Sequence, residues 1–366
     1  MKKQDYIQYL QDTSDLVSPR LSALVEPYRD IDHDLYDILL HFMRRRINKP
    51  LLKPALVRVC FELFSERSWE DIVPACAAFE MVNISSYQAN SAFDSKLNIL
   101  SDADKDSQFI AAMLSRELAH DAICDLKSIA PIGRLESLQQ CISDANKWIY
   151  VAQHYDLNLL TVANLGAYED EAYYLQEYTK RCFYGSGVFS GLCALAGGVL
   201  AGASDDDQQA LKAFGEAYGL ALHVINDLGD YIPPTPCGQI GRAYQDQFSD
   251  LRNGRLTLPL YHLLTHASSS DKSELRSLMD NARFDNVAMH RILQLLDEYQ
   301  SIAFTKRFAH QHMEIAKGHL RRRGRSIARA VLGAMTSVSR SNKYYWAWHQ
   351  WVASNRARER ESCHAK

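Results

Sequence analysis

Apolar residues recur every three or four positions over long segments of this chain, and no stretch alternates apolar with polar as a half-buried strand does. The pattern is clearest at Leu211, Phe214, Tyr218, Leu222 and Ile225, which fall on one face of a helix. Pro233, Pro234 and Pro236 follow, so the helix ends before them. Ala77, Met81, Ile84 and Tyr87 mark another helix within residues 74–94. Residues 1–48 read as two helices, the second from Leu35 to Arg46. Further helices are expected through residues 110–122, from a break at residues 129–134 to about Asp156, and as two amphipathic helices across residues 271–317. Another apolar segment opens at Leu256. The fold class is therefore all-α: one helical bundle over residues 1–354, with a frayed tail at residues 355–366.

One segment tests that reading. Ser186 to Ser204 carries no charge and is long enough to span a bilayer. It is rich in Gly, Ala and Ser, and small residues let helices approach closely inside a bundle. The expectation is a buried helix and no transmembrane segment.

At 366 residues the chain is long enough for a large core. A net charge of −3 gives no argument for nucleic acid as a partner. Cysteines at 60, 76, 124, 141, 182, 193, 237 and 363 form no CxxC pair and no zinc-spaced Cys/His cluster along the sequence. Free thiols in a reducing cytosol are the simplest reading. The opening MKKQDYIQYLQDTSDL lacks a continuous apolar core, so no secretory signal is expected.

Candidate chemistry gathers where the helix over residues 211–225 runs on. Asn226, Asp227 and Asp230 are three and four apart, close together on one side of a helix. Oxygen ligands at that spacing suit Mg²⁺, which prefers carboxylates, waters and substrate phosphates; a solvated helix end is the plain alternative. Asn90 and Asp94 repeat the same four-residue interval. If the two helices face each other, five oxygen-bearing side chains converge; the alternative is a hydrogen-bonded polar seam.

Residues 214–230 followed by DLRNGRLTLPL at 250–260 resemble the second aspartate-rich region of the polyprenyl (isoprenyl) diphosphate synthases. The resemblance runs unevenly over residues 35–335. It implies a helical bundle with a central apolar cavity, an isoprenyl diphosphate substrate, Mg²⁺ as cofactor and a homodimer. It places Asn226, Asp227 and Asp230 in the catalytic metal site, with Asp94 and Asn90 as the remnant of the first motif. Arg255, Lys53, Lys49 and Lys180 are the candidate cations for diphosphate.

Several positions depart from the family's pattern. The first motif reads Asn90-Ser91-Ala92-Phe93-Asp94 and keeps one carboxylate. The inner basic residues near 50, an Arg-Arg after Asp94 and a Lys-Thr near 184 are missing. Three readings stay open. The first is an enzyme that ionises an allylic diphosphate and cyclises it or passes it to an acceptor other than isopentenyl diphosphate. The second is an ordinary chain-elongating synthase. The third is a non-catalytic subunit that joins a catalytic synthase in a hetero-oligomer. Under either catalytic reading, Asp227→Ala with Asp230→Ala is expected to abolish activity and leave folding intact. Outside these motifs, the basic patch at residues 321–325 reads as solvated, and the aromatic face at Tyr344, Trp348 and Trp351 reads as packing.

Overall fold

The computed structural model describes residues 2–47, 50–93, 105–128, 130–231, 248–281, 286–320 and 326–337. In chain order the α-helices among them are α1 (Lys3–Val25), α2 (His33–Ile47), α3 (Leu52–Phe64), α4 (Val73–Phe93), α5 (Lys105–Cys124), α6 (Ile132–His154), α7 (Glu171–Cys182), α8 (Val188–Ala201), α9 (Asp205–Gly229), α10 (Ser249–Arg252), α11 (Leu258–His266), α12 (Ser269–Asn281), α13 (Asn286–Glu298), α14 (Ser301–His319) and α15 (Ser326–Met335). No strand occurs among the described residues; the one β-bridge pairs Thr161 with Arg255. The fold is all-α. Its contacts divide it into two compact units, one built from Met1–Gln153, Phe183–Gly219 and Glu314–Thr336, the other mainly from His154–Cys182 and Leu220–Met313.

In the first unit α4 packs along α5, and α3 packs along α8. The uncharged segment does what its small side chains permit. A methyl group added at Gly197 would stand 2.4 Å from the Val57 carbonyl oxygen of α3. One added at Gly215 of α9 would stand 2.4 Å from the Ser190 carbonyl oxygen of α8. Backbones therefore meet where bulkier side chains would hold them apart. The helical run Glu171–Ala201 is long and apolar enough to cross a membrane, but 72% of its apolar window is buried inside the protein, as in a core helix. Arg58 of α3 is buried between the rings of Tyr9 and Trp69, 4.0 and 4.1 Å from their centroids, and its Nε donates to Glu62 at 2.9 Å. Stacking and pairing offset the cost of its burial. The described cysteines are all free.

In the second unit α7 presents Tyr174, Tyr178, Arg181 and Cys182 to the interior, at positions i, i+4, i+7 and i+8. The Tyr174 ring stacks on Tyr261 of α11 with centroids 3.5 Å apart, and its hydroxyl donates to the Leu256 carbonyl at 2.9 Å. Tyr231 and Thr257 share a buried hydroxyl–hydroxyl bond of 2.8 Å. The turn after α10 uses Gly254 at φ +65°, where glycine costs least. Its carbonyl accepts from Val162 N–H at 2.7 Å, which ties residues 254–256 to residues 160–162. Across residues 269–319 there are three helices rather than two. The break at Tyr299-Gln300 contains no Gly or Pro. Gln300 takes φ +56° there, and its side chain donates back to the Asp297 carbonyl at 2.7 Å. A turn closed by a glutamine amide leaves little trace in an apolar period.

Candidate active site

The helix end singled out by the sequence is the edge of a buried electrostatic chain within the second unit. Asp227 is 1% exposed and Asp230 is fully buried, whereas Asn226 between the buried stripes faces outward. Arg181, 4% exposed, donates from Nη1 to Asp227 Oδ2 at 2.6 Å and more distantly from Nη2 to Oδ1 at 3.4 Å. The Tyr178 hydroxyl donates to the same Oδ2 at 2.7 Å. Arg181 Nε also donates to Asp156 Oδ1. Arg255 Nη1 pairs with the other Asp156 oxygen at 3.2 Å, and Arg255 Nε lies 3.7 Å from Asp250 Oδ1. The order is carboxylate, guanidinium, carboxylate, guanidinium, carboxylate. Among the described residues this order sets three carboxylates against two guanidinium groups, and it ends on Asp227 at one side.

The charges respond as burial and pairing require. Burial alone would raise the Asp156 carboxyl, but Arg181 and Arg255 together hold it below the usual carboxylate range. Burial would lower the Arg181 guanidinium, and Asp156 and Asp227 outweigh it, so Arg181 stays charged. The His223 imidazole is pushed down by burial and by Arg181, against the pull of Asp227 and Asp156. It stands one helical turn before Asp227, with Nε2 4.0 Å from Asp227 Oδ1.

Asp230 has a different task. Its Oδ1 accepts from the Ser249 hydroxyl at 3.1 Å, and its Oδ2 accepts from the backbone N–H groups of Asp250 and Leu251 at 3.0 and 3.4 Å. These are the amides that a helix start leaves without partners, so Asp230 anchors α10. Asp227 and Asp230, neighbours by spacing, therefore send their carboxylates to different partners.

The candidate cations each have partners of their own. Arg255 is buried inside the chain of charges. Lys180 pairs with Glu177 at 2.6 Å on α7, while the next residue, Arg181, takes the buried position. In the first unit Lys53 donates to Ser190 and Ser186 hydroxyls at 2.6 and 3.4 Å and lies 4.8 Å from the Phe189 centroid; burial lowers its ammonium. Nearby on α4, the buried carboxylate Glu80 accepts from Arg46 at 2.8 Å and Asn83 at 3.0 Å. Asn90 is half-buried near the end of α4. Lys49 and Asp94 lie outside the described residues. The sequence reading missed Arg181, Asp156 and His223. For Arg181 a signal existed: the stripe from Tyr174 through Tyr178 reaches position 181, not 180. Asp156 lies 25 residues from Arg181, and no short motif joins them.

The donor set fits a divalent cation at one carboxylate. Among the described residues Asp227 Oδ1 has the long Arg181 contact and the gap toward His223. Mg²⁺ is commonly held by one or two carboxylates with waters and substrate phosphates completing the shell. The residue that would hold it is Asp227, with Asp230 fixing the adjoining turn; Asn226, next to Asp227 on the helix, faces outward.

The polyprenyl synthetase family pattern matches residues 106–296, more than half of the chain. The octaprenyl diphosphate synthase of Escherichia coli is 26% identical over 123 residues, 34% of this chain and 36% of that protein. The short chain isoprenyl diphosphate synthase of Methanothermobacter thermautotrophicus is 24% identical over 157 residues, 43% of this chain and 46% of that protein. The matched stretch spans less than half the length of these relatives. Among solved structures, the geranylgeranyl pyrophosphate synthetase of Pyrococcus horikoshii superposes with a TM-score of 0.73 at 18% identity, covering 92% of this chain and 98% of that one. The geranylgeranyl pyrophosphate synthase of Corynebacterium glutamicum, complexed with isoprenyl diphosphate and magnesium, gives 0.73 at 16% identity, covering 91% and 99%. At these identities the structures establish the all-α fold, and the family pattern establishes kinship: the chain belongs to the polyprenyl synthetase family.

Proposed function

We propose that the protein is a Mg²⁺-dependent prenyltransferase that joins an allylic isoprenyl diphosphate to isopentenyl diphosphate and releases a longer isoprenyl diphosphate. The observation that carries this reading is the chain of ion pairs from Asp250 to Asp227, which among the described residues ends on a carboxylate at a helix end. The names of the relatives favour chain elongation over the cyclisation that the degenerate first motif suggested. Bound Mg²⁺ supplies charge neutralisation for a departing diphosphate. Asp227 offers it a carboxylate oxygen. Arg181 and Asp156 hold Asp227 in place. Asp230 holds residues 249–251, and Arg255 links that turn to Asp156. In this reading Arg255 positions the site rather than gripping substrate, and Lys53 is the half-buried cation available to an anion in the first unit. The protein acts in the cytoplasm as a homodimer, in keeping with its free described thiols and the family resemblance.

A second reading, a non-catalytic subunit of a prenyl synthase, is favoured by one observation. Asp227 and Asp230 already accept hydrogen bonds from the protein's own donors. The deciding experiment incubates the purified protein with Mg²⁺ and geranyl, farnesyl or geranylgeranyl diphosphate, each with and without isopentenyl diphosphate. Longer diphosphates are expected only when isopentenyl diphosphate is present. A hydrocarbon or alcohol formed without it would replace elongation by cyclisation. No diphosphate release from any substrate would leave the partner-subunit reading.

A further inference from the structure

Three ligand atoms of different chemistry meet between α7 and α9. Cys182 Sγ, a ring nitrogen of His223 and a carboxylate oxygen of Asp227 all lie within 4.8 Å of one another. Cys182 is the last residue of α7, on its buried face. His223 and Asp227 are four apart on α9, so they project from the same side of one helix. The three belong to the second unit.

A tetrahedral ion with bonds of about 2.0–2.3 Å keeps its ligand atoms roughly 3.3–3.8 Å apart. The gap of 4.0 Å between His223 Nε2 and Asp227 Oδ1 is too long for a hydrogen bond and close to that separation. Asp227 offers the right oxygen for it. Arg181 Nη1 and the Tyr178 hydroxyl both use Oδ2, while among the described residues Oδ1 has the 3.4 Å contact to Arg181 Nη2. Thiolate and imidazole together select zinc-like ions and disfavour Mg²⁺, which takes oxygen ligands.

We propose that Cys182, His223 and Asp227 form a binding site for a thiophilic divalent cation of the Zn²⁺ class, with water in the fourth position. Binding releases the Cys182 proton to solvent. The bound dication is then balanced by one thiolate and one carboxylate, and Arg181 keeps Asp156 as its partner. The site shares Asp227 with the proposed Mg²⁺ site, so a thiophilic ion and Mg²⁺ compete for one carboxylate. Its existence does not depend on turnover, because occupancy is read spectroscopically.

The test titrates Co²⁺ into the full-length metal-free protein. The expected result is a thiolate-to-cobalt charge-transfer band with visible bands of tetrahedral intensity, removed by Zn²⁺ and retained in excess Mg²⁺. Cys182→Ser abolishes the charge-transfer band. His223→Gln weakens Co²⁺ binding by roughly tenfold or more. Cys124→Ser, which removes an exposed thiol, leaves both unchanged. Circular dichroism verifies that each variant is folded. A wild-type protein without the charge-transfer band overturns the proposal. So does a band that survives Cys182→Ser, or an affinity unaltered in His223→Gln.

Discussion

Arg181 reaches Asp227 from α7 with a 2.6 Å bond to Oδ2, and its Nε is at the same time spent on Asp156. One buried guanidinium thus bridges the buried Asp227 and the part-buried Asp156, which lie on two other segments. Removing it strips Asp227 of its paired guanidinium and leaves Asp156 with Arg255 alone. Arg181→Met is expected to cost about 3–5 kcal/mol of stability, read as a lowered denaturant midpoint. Arg181→Lys restores the charge without the forked geometry and recovers only part of the loss. A midpoint unchanged in Arg181→Met would mean that the pair contributes nothing to the fold.

Asp230 anchors the start of α10 through one hydroxyl and two amides. Asp230→Ala removes a charged acceptor from buried donors, at an expected cost of about 2–3 kcal/mol. Amide exchange should quicken first at residues 249–251. This changes what the double substitution Asp227→Ala with Asp230→Ala means. The sequence expects it to spare folding; the geometry makes both carboxylates structural, so lost turnover in that variant would not by itself identify metal ligands. Asp227→Asn, which keeps acceptor oxygen for Tyr178 and Arg181, is the cleaner probe. It is expected to lower Mg²⁺-dependent turnover roughly a hundredfold, from loss of several kcal/mol of charge stabilisation.

His262 gives a pH dependence of its own. Its imidazole is pushed down to about 4 by burial, with His266 and Arg307 adding to the effect. The ring stacks on Phe304 at 4.5 Å, and Nδ1 lies 2.9 Å from the Ser301 hydroxyl. An unfolded histidine titrates near pH ~6.5. Between those values the unfolded chain binds more protons than the folded one, so stability is full above about 6.5 and falls toward pH 4. Denaturant midpoints measured across this range should slope downward in the native protein and flatten in His262→Gln. Equal slopes would remove His262 as the cause.

How far the sequence reached can be judged from α7 and α9. The helical period placed α9 and its end correctly, because Leu211, Phe214, Tyr218 and Ile225 bury one face. It also drew attention to Asp227 and Asp230, but spacing alone made them one cluster. Past the last full turn of α9, Asp230 meets backbone amides from residues about twenty positions away, which no local pattern encodes. On α7 the sequence names Lys180 as a cation near an expected position, where the stripe of tyrosines marks Arg181. Cys182 and His223 are 41 residues apart, and linear zinc spacing cannot show a site assembled from two helices. The first metal motif and Lys49 remain expectations from the sequence.

Gly197→Ala tests the close approach of α3 and α8. The added methyl group would meet Val57 O at 2.4 Å and Cys60 Cβ at 2.8 Å, and a backbone carbonyl cannot swing aside. The expected cost is about 1–3 kcal/mol, measurable as a lowered melting temperature.

That approach has a kinetic consequence. Where α8 lies against α3 at Gly197 and against α9 at Gly215, no side chain stands between the backbones to yield by changing rotamer. Solvent reaches the α8 amides only if whole helices separate. Their protons should therefore be released at the pace of global opening, as a slow cooperative block, while the ends of the chain's outer helices exchange by fraying.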